Sequence, residues 1–365
     1  MNLFCPAPDF SYLCTTIHKI MKYSLIIPVY NRPDEVAELL ESLTVQRMKD
    51  FEVIIVEDGS QTPCKEVCDR YADRLDLHYH MKENGGPGQA RNYGAERAKG
   101  EYFIVLDSDV VVPEGYLEAV DAELLREPCD AFGGPDAAHT SFTDIQKAIS
   151  YSMTSFFTTG GIRGGKKKLD KFYPRSFNMG IRADVYRELG GFSKMRFGED
   201  IDFSIRIFKG GHSCRLFPEA WVWHKRRTDF RKFWRQVFNS GIARINLYKK
   251  YPESLKVVHL LPAVFTIGCI LLVLVSAAGR LLMHFDDLRR WYWLCAAPWI
   301  PILLFCAIIF IDSSIRNKCL RVGVLSIPAA FIQLFGYGCG FLQAWWRRCV
   351  LGKDEFSAYN NTFYK

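Results

Sequence analysis

The last third of this 365-residue chain holds three apolar stretches, Val257 to Gly279, Trp291 to Ile311 and Val322 to Trp346, and none of them contains Lys, Arg, Asp or Glu. Each reaches or exceeds the roughly 20 residues that cross a bilayer core of about 30 Å. A buried hairpin of core helices is the alternative, but three successive uncharged runs of this length are hard to bury in a domain of this size. Up to about Tyr251 the composition is different, with charged and apolar residues mixed as in a soluble α/β domain. The length exceeds one average domain. Two parts are therefore expected, a soluble α/β part followed by an α-helical transmembrane region.

Strand and helix signals alternate through the soluble part. Tyr23 to Val29 is a continuous apolar strand, and Asp34 to Val45 has helical spacing at Val36, Leu39, Leu40 and Leu43. Phe51 to Val56 is the next strand, with Glu57-Asp58-Gly59-Ser60 at its carboxyl end. Leu75 to Met81 gives a third strand, and the loop Asn84 to Gly88 introduces a helix over Gln89 to Lys99. The apolar run from Glu101 to Leu106 then leads into Asp107-Ser-Asp109. This alternation predicts a mostly parallel sheet with right-handed crossovers and helices on both faces. Such a sheet presents its loops at one edge, where nucleotides lodge, so Pro28, Asp58, Gly85 to Gly88 and Asp107 are expected in one cleft.

Asp107 and Asp109 are spaced by one residue. A divalent ion such as Mg²⁺ or Mn²⁺ takes hard oxygen ligands and is held by one or two protein carboxylates, leaving other positions to water and phosphate oxygens. The pair therefore points to a nucleotide-linked substrate, although a solvated strand-to-loop turn produces the same pattern. Phe197-Gly-Glu-Asp-Ile-Asp-Phe-Ser-Ile-Arg206 supplies a second acidic element. Glu199 and Asp200 read either as proton-handling groups or as an ordinary acidic first turn of a helix through Phe208. Asp202 points elsewhere on that helix and is expected at the surface or in a cap.

Taken together these pieces resemble the inverting nucleotide-sugar glycosyltransferases of family 2, which have the GT-A fold. The residues that carry the resemblance are Ser24-Leu-Ile-Ile-Pro-Val-Tyr-Asn31, Val53-Ile-Ile-Val-Glu-Asp-Gly-Ser60, Asn84-Gly-Gly-Pro-Gly-Gln-Ala-Arg-Asn-Tyr-Gly94, Asp107-Ser-Asp109, Asn178-Met-Gly180, Gly190-Gly-Phe192 and Gly198-Glu-Asp200. They stand in the family's order over residues 22 to about 224. By that resemblance Pro28 and Tyr30 border the nucleotide pocket, and Asp58 accepts from the imide N–H of a uracil or a similar base edge. Asp58 equally suits an Asx turn at the strand end. Arg91 is implied either at the diphosphate or as a pin for Asp107, with a surface-helix role as the alternative. Asp107 faces the ribose or the metal, and Asp109 holds the metal against both phosphates. Asp200 matches the family's general base, with Glu199 orienting the acceptor. In some GT-A enzymes a histidine after a strand such as Trp221-Val-Trp223 completes the metal shell, so His224 is either a ligand or a structural histidine. Lys166 to Lys168 would meet an acceptor phosphate or stand in solvent.

The resemblance also implies an activity and its partners. The expected enzyme moves one sugar from a nucleoside diphosphate donor, with a UDP-sugar favoured, to a lipid-linked saccharide or glycolipid in cell-surface glycan synthesis. A Gln-x-x-Arg-Trp element, found in processive polysaccharide synthases, is missing, since Trp234-Arg-Gln-Val-Phe238 has neither its order nor its spacing. Transfer to a polyprenyl phosphate is the alternative within the class. A catalytically silent membrane protein that binds a nucleotide sugar is the alternative outside it. A nucleotidyltransferase would want a glycine-rich, basic loop after the first strand, where Pro28-Val-Tyr-Asn31 stands instead.

The rest of the chain sets the surroundings. A basic, aromatic junction containing Lys225, Arg227, Arg231, Lys232, Phe233, Trp234 and Arg235 reads as an amphipathic segment on an anionic membrane, or as a solvated helix face. The net charge of +7 fits a membrane and an anionic substrate without nucleic acid, and no nucleic-acid signature is present. Twelve cysteines lie scattered, without Cys-x-x-Cys or zinc spacing, which suits a reduced compartment. Residues 1 to 20 lack a sustained apolar core, so no cleavable signal peptide is expected and Met21 can be the true start. The expected organisation is an extra segment over 1–21, a GT-A domain over 22–224, an interfacial segment over 225–256, three transmembrane helices within 257–346 and a tail over 347–365. Because nucleotide sugars are cytosolic, a multi-pass cell-membrane protein with a cytoplasmic catalytic domain is expected, and three spans then put the tail outside. Arg280, Arg289 and Arg290 in an outer loop, and Arg347 and Arg348 beyond the last span, run against the positive-inside tendency.

Overall fold

The computed structural model describes residues 22–137, 142–159, 172–195, 197–225, 227–285 and 296–355. Segment 1–21, Lys166 to Lys168, Arg289, Arg290 and most of the tail lie outside these residues. The first part of the chain runs β1 (Tyr23–Val29), α1 (Pro33–Thr44), β2 (Phe51–Asp58), α2 (Lys65–Asp69), β3 (Leu77–Lys82), α3 (Pro87–Ala95) and β4 (Tyr102–Leu106). It continues through β5 (Val110–Val111), α4 (Tyr116–Arg126), β6 (Ala131–Gly133), β7 (Asp136–Ala137), α5 (Asp144–Thr154) and α6 (Phe156–Thr159). Then come β8 (Asn178–Arg182), α7 (Ala183–Glu188), α8 (Glu199–Lys209), β9 (Cys214–Leu216) and β10 (Val222–His224). Four long helices follow, α9 (Phe230–Lys250), α10 (Leu261–Phe285), α11 (Ile300–Asn317) and α12 (Leu320–Trp345).

A seven-stranded sheet has the order β3-β2-β1-β4-β8-β6-β9. β1 pairs in parallel with β2 and β4, and β8 runs antiparallel between β4 and β6. The central strands are apolar on both faces because helices cover both, as a parallel sheet requires. Leu25, Ile27, Val53, Ile55 and Ile104 meet α1 and α4 on one face. Ile26, Ile54, Val56, Phe103 and Val105 meet α3, α7 and α8 on the other. Side chains on a strand alternate in this way with a period of two.

Expected and observed elements differ at particular ends. β2 extends through Glu57 and Asp58, which pair with Met81 and Lys82 of β3 instead of starting a loop. β3 begins at Leu77. α3 starts earlier, at Pro87, and stops at Ala95 instead of Lys99. The Lys99 amide turns away to donate to the buried Glu52 carboxylate at 2.6 Å, and the Gly100 amide donates to Ser24 Oγ at 2.8 Å. A three-stranded ribbon, β5-β10-β7, was not anticipated.

Three helical segments, Leu261–Leu281, Ala297–Asn317 and Leu320–Val350, are long and apolar enough to cross a membrane. The first starts four residues later than expected, because Val257–His259 forms a short 3-10 turn. α9 lies along α12 at very short range. A Cβ at Gly340 would stand 2.0 Å from the Phe238 carbonyl oxygen, and one at Gly241 would stand 2.2 Å from the Tyr337 carbonyl oxygen, so only glycine permits this approach.

Asp202 corrects the expectation of a surface or capping residue. It is fully buried, and its carboxylate accepts from Ser193 Oγ (2.6 Å), Arg206 Nε (2.9 Å), Lys250 Nζ (2.5 Å) and Tyr251 Oη (2.9 Å). It thereby ties α8 to the end of α9. Burial disfavours its charge, but Lys250, Ser193 and Arg206 outweigh burial and hold the carboxyl below its ordinary value. A depressed carboxylate stabilises the fold above its unfolded pKa of about 3.9 and loses that contribution as pH falls through the folded value. Asp202→Asn is expected to lose about 3 kcal/mol at pH 7, the cost of breaking a buried ion pair. Thermal unfolding in detergent should show its gap from the wild type narrowing below about pH 4.

Candidate active site

The loops at the carboxyl ends of β1, β2 and β4 form the floor of the site, and each is held by named hydrogen bonds. Asn31, with φ of 54°, accepts at its side-chain oxygen from the amides of Gln61 (2.7 Å) and Thr62 (2.9 Å), and its own amide donates to Ser60 Oγ (2.8 Å). The loops after β1 and β2 are thus cross-linked. Asp58 is buried and accepts from the amides of Gly85 (2.9 Å) and Gly86 (2.8 Å) and from Lys82 Nζ (2.8 Å). It pins the glycine loop instead of closing a turn on its own strand. Tyr30 is 37% exposed and Pro28 half-buried at the end of β1.

Asp109 and His224 meet because of strand register. β10 runs antiparallel to β5, with His224 opposite Val110, and the Lys225 amide donates to the Asp109 carbonyl at 3.0 Å. His224 Nε2 then lies 3.2 Å from Asp109 Oδ1, and its ring stacks on Phe177 at 5.0 Å. Ligand atoms of Asp107, Asp109 and His224 all lie within 4.8 Å of one another. Two carboxylates and one imidazole, brought this close, fit a divalent ion of the Mn²⁺ or Mg²⁺ class. Arg32 Nη1 (2.7 Å) and Arg227 Nη1 (3.3 Å) both reach Asp109 Oδ2. Burial penalises the Asp109 charge, but His224, Arg32 and Arg227 hold its carboxyl far below the usual range.

The second acidic pair begins α8. Gly198 precedes it with φ of 90°, a left-handed conformation that favours glycine, and lies against Ala243 and Leu247 of α9. Glu199 and Asp200 occupy the first turn, where the helix dipole favours negative charge. Asp200 accepts from Arg175 Nε at 2.7 Å and from the Ile201 amide at 2.8 Å. Burial and the adjacent Asp200 charge push the Glu199 carboxyl up, against the pull of Arg91. Burial acts on Asp200 too, but Arg175 and Arg91 overcome it and hold Asp200 below its ordinary value.

Arg91 joins the two acidic sets. Its side chain is 4% exposed, with Nη2 2.9 Å from Asp107 Oδ1 and Nη1 3.2 Å from Glu199 Oε1. The guanidinium also lies over the Phe192 ring at 5.1 Å. Arg91 therefore bridges the Asp107, Asp109 and His224 group to the pair Glu199 and Asp200. Residues 24–190 match Glycosyl transferase family 2. This segment is a family 2 glycosyltransferase domain.

Curated relatives carry the same kind of name. An "Uncharacterized glycosyltransferase" of Rickettsia felis is 34% identical over 143 residues, covering 39% of this chain and 23% of that protein. Glycosyltransferase GlyG of Streptococcus pneumoniae is 33% identical over 113 residues, covering 30% of this chain and 38% of that protein. The chain thus spans well under half the length of these two relatives. Among solved structures, mannosyltransferase PcManGT from Pyrobaculum calidifontis, in complex with GDP-Man and Mn2+, aligns with a TM-score of 0.55 and 18% identity over 86% of this chain and 87% of that one. At this identity the likeness speaks for the fold. The glycosyltransferase domain has the GT-A architecture, a mostly parallel sheet flanked by helices, followed by three apolar helices.

Four cations around the site were not assigned to it from sequence. Arg32 and Lys82 flank the Ser24–Asn31 and Asn84–Gly94 motifs without belonging to them, Arg175 sits in no motif, and Arg227 lies in the basic, aromatic junction. Their shared signal is position, since Arg32 directly follows the loop residue Asn31 and Arg227 follows β10 by three residues. Removing Arg91 would leave two carboxylates facing each other without a cation. Arg91→Met is expected to cost about 3–5 kcal/mol of stability. In the Arg91→Met/Glu199→Gln double variant roughly 1 kcal/mol or more should return, because the stranded charge is gone. Unfolding midpoints of the four-protein cycle measure this.

Proposed function

We propose that this chain is a membrane-anchored inverting glycosyltransferase that moves one sugar from a nucleoside diphosphate donor to an acceptor held at the membrane. The observation that carries the reading is Arg91, which links a carboxylate of the metal-competent cluster to a carboxylate of the α8 pair. Donor and acceptor chemistry are then adjacent in one cleft. PcManGT in its GDP-Man and Mn2+ complex adds support for this donor class.

In this reading Asp107, Asp109 and His224 would hold the divalent ion, whose positive charge would stabilise a departing diphosphate. Tyr30 and Pro28 wall the base. Asp58 has three of its acceptor positions in use and one further lone pair at Oδ2, enough for a base N–H. Asp200, ionised, takes the proton of an acceptor hydroxyl. The hydroxyl oxygen attacks the anomeric carbon opposite the leaving diphosphate, giving inversion in one step. Arg175 holds Asp200 until the acceptor arrives, and Glu199 orients that acceptor. The acceptor is a lipid-linked saccharide or glycolipid, since α9 connects the cleft to the apolar helices.

Detergent-solubilised protein with Mn²⁺, UDP-sugars and GDP-mannose should release nucleoside diphosphate from one donor. Release should vanish without metal and in Asp109→Ala. Asp200→Asn should keep donor binding and lose transfer by about 10²–10⁴-fold, the usual worth of a general base. Absence of release from every donor, with membrane lipids present as acceptor, would leave a silent nucleotide-sugar-binding protein instead. Because Arg175 lowers the Asp200 pKa, activity should survive acidification past the ordinary carboxylate value. Arg175→Met should move the acid limb of kcat/KM to higher pH.

A further inference from the structure

The third apolar helix differs from the other two in its surroundings. Of its apolar 18-residue stretch 44% is buried inside the protein, against 11% for the corresponding stretch of each of the first two. What covers it belongs to the soluble part. Val322 and Ala329 pack with Ala148 of α5 and with Phe230 at the start of α9. Ile332 packs with Ile149 of α5 and with Phe233 and Val237 of α9. Gly336 lies against Val237, Gly340 against Phe238, and Phe341 and Ala344 cluster with Ile242 and Ile245. α9 and α12 therefore run side by side in the same direction over nearly their whole lengths.

Both ends of α12 are also tied to polar groups of that soluble part. At its start Arg321 lies 3.4 Å from Asp144, the first residue of α5. Beyond its end Arg348 donates to Asn246 of α9 at 2.7 Å, and Asn246 donates to Glu355 at 3.1 Å. Twenty-six residues of helix measure about 39 Å, more than the hydrocarbon core of about 30 Å. A spanning helix of this length has its ends on opposite sides of the bilayer. If α12 crossed, α9 beside it would have to cross too.

α9 is unfit to do so. It carries Arg231, Lys232, Arg235, Arg244, Lys249 and Lys250, and a Lys or Arg at the centre of a span costs about 2.5–3.5 kcal/mol even on the mildest scale. Its opposite face is committed as well, with Leu247 packed on Ile205 of α8 and Lys250 on Asp202. Crossing would draw the active-site helix into lipid.

α10 and α11 behave in the opposite way. Their apolar side chains, among them Ile267, Ile270, Leu271, Leu274, Leu303 and Leu304, are exposed. α10 touches α12 near its own start, and α11 packs on the first half of α12 from Phe305 to Ser314 while its beginning stands clear. Pro262 and Thr266 approach Gly338, and Phe265 meets Phe331 and Phe335. On α11, Ile309 packs with Ala330 and Tyr151, Ser313 bonds Ser326, and Asp312 accepts from Tyr151 Oη at 2.7 Å. Farther out, Trp299 Nε1 donates to Ser276 Oγ at 2.9 Å, which joins the two helices well away from α12.

We infer that only α10 and α11 cross the bilayer, as a hairpin, while α12 lies with α5 and α9 along the membrane surface on the side of the glycosyltransferase domain. Residues 347–355 then share that side. The placement also removes Arg347 and Arg348 from the wrong side of the positive-inside tendency, because two spans return the chain to where it started. It concerns the bilayer alone and stands whether or not sugar is transferred.

The test is accessibility of single cysteines to a membrane-impermeant maleimide, in a cysteine-free background, in vesicles of both orientations. Lys65→Cys reports the glycosyltransferase domain and Lys353→Cys the segment after α12; both lysines are exposed. Labelling of both from the same side is expected. Labelling of Lys353→Cys only from the side opposite to Lys65→Cys would overturn the inference. Should the cysteine-free protein fail to fold, the unaltered chain with a fluorescent protein or an alkaline phosphatase fused at its end answers the same question. A reporter active on the side opposite to one fused at the amino end would sink the two-span arrangement, and reporters active on one side support it.

Discussion

A single guanidinium, that of Arg91, organises the site. It is nearly inaccessible to water, and a charge so placed must be paired on more than one side. Asp107 takes one nitrogen and Glu199 another, while Phe192 covers the plane. Lysine could not substitute, because a point charge lacks the planar fork that serves two carboxylates while stacking on a ring. The end of β4 and the start of α8, 92 residues apart between Asp107 and Glu199 (199 − 107), are thereby held at a fixed spacing. The cations on the flanks extend the same logic. Arg32 and Arg227 balance Asp109, and Arg175 balances Asp200, so every buried carboxylate of the cleft has a basic neighbour.

Much of the sheet was legible because its signals are local. Continuous apolar runs mark β1, β2 and β4, the spacing of Val36, Leu39, Leu40 and Leu43 marks α1, and Asp107-Ser-Asp109 stands at a strand end. Element ends were less legible where a distant partner captures the backbone, as Glu52 captures the Lys99 amide. The ribbon that carries His224 depends on three two- or three-residue strands, too short for any periodicity to show. Asp202 looked like an exposed helix residue because nothing nearby in sequence reveals Lys250 and Tyr251 as its partners. The flanking arginines were invisible for the same reason, since pairing of charges across the fold leaves no local pattern.

Hydropathy passes all three apolar helices as able to cross a membrane, and packing separates them. α10 and α11 present apolar side chains outward, as lipid-facing helices do, whereas α12 spends its small residues on close approach to α9. Gly336 and Gly340 sit against backbone or side-chain atoms of α9. A run without charge can thus mean a seam inside the protein as readily as contact with lipid.

Gly198 sits at the meeting point of these two worlds. Its missing side chain leaves Ala243 and Leu247 in contact with the turn that begins α8, one and two residues before Glu199 and Asp200. The other faces of α9 rest on α12. Substitutions that fatten α9 or α12 would therefore be transmitted as displacement of the acidic pair, so side-chain volume along this buried seam sets where the two carboxylates stand.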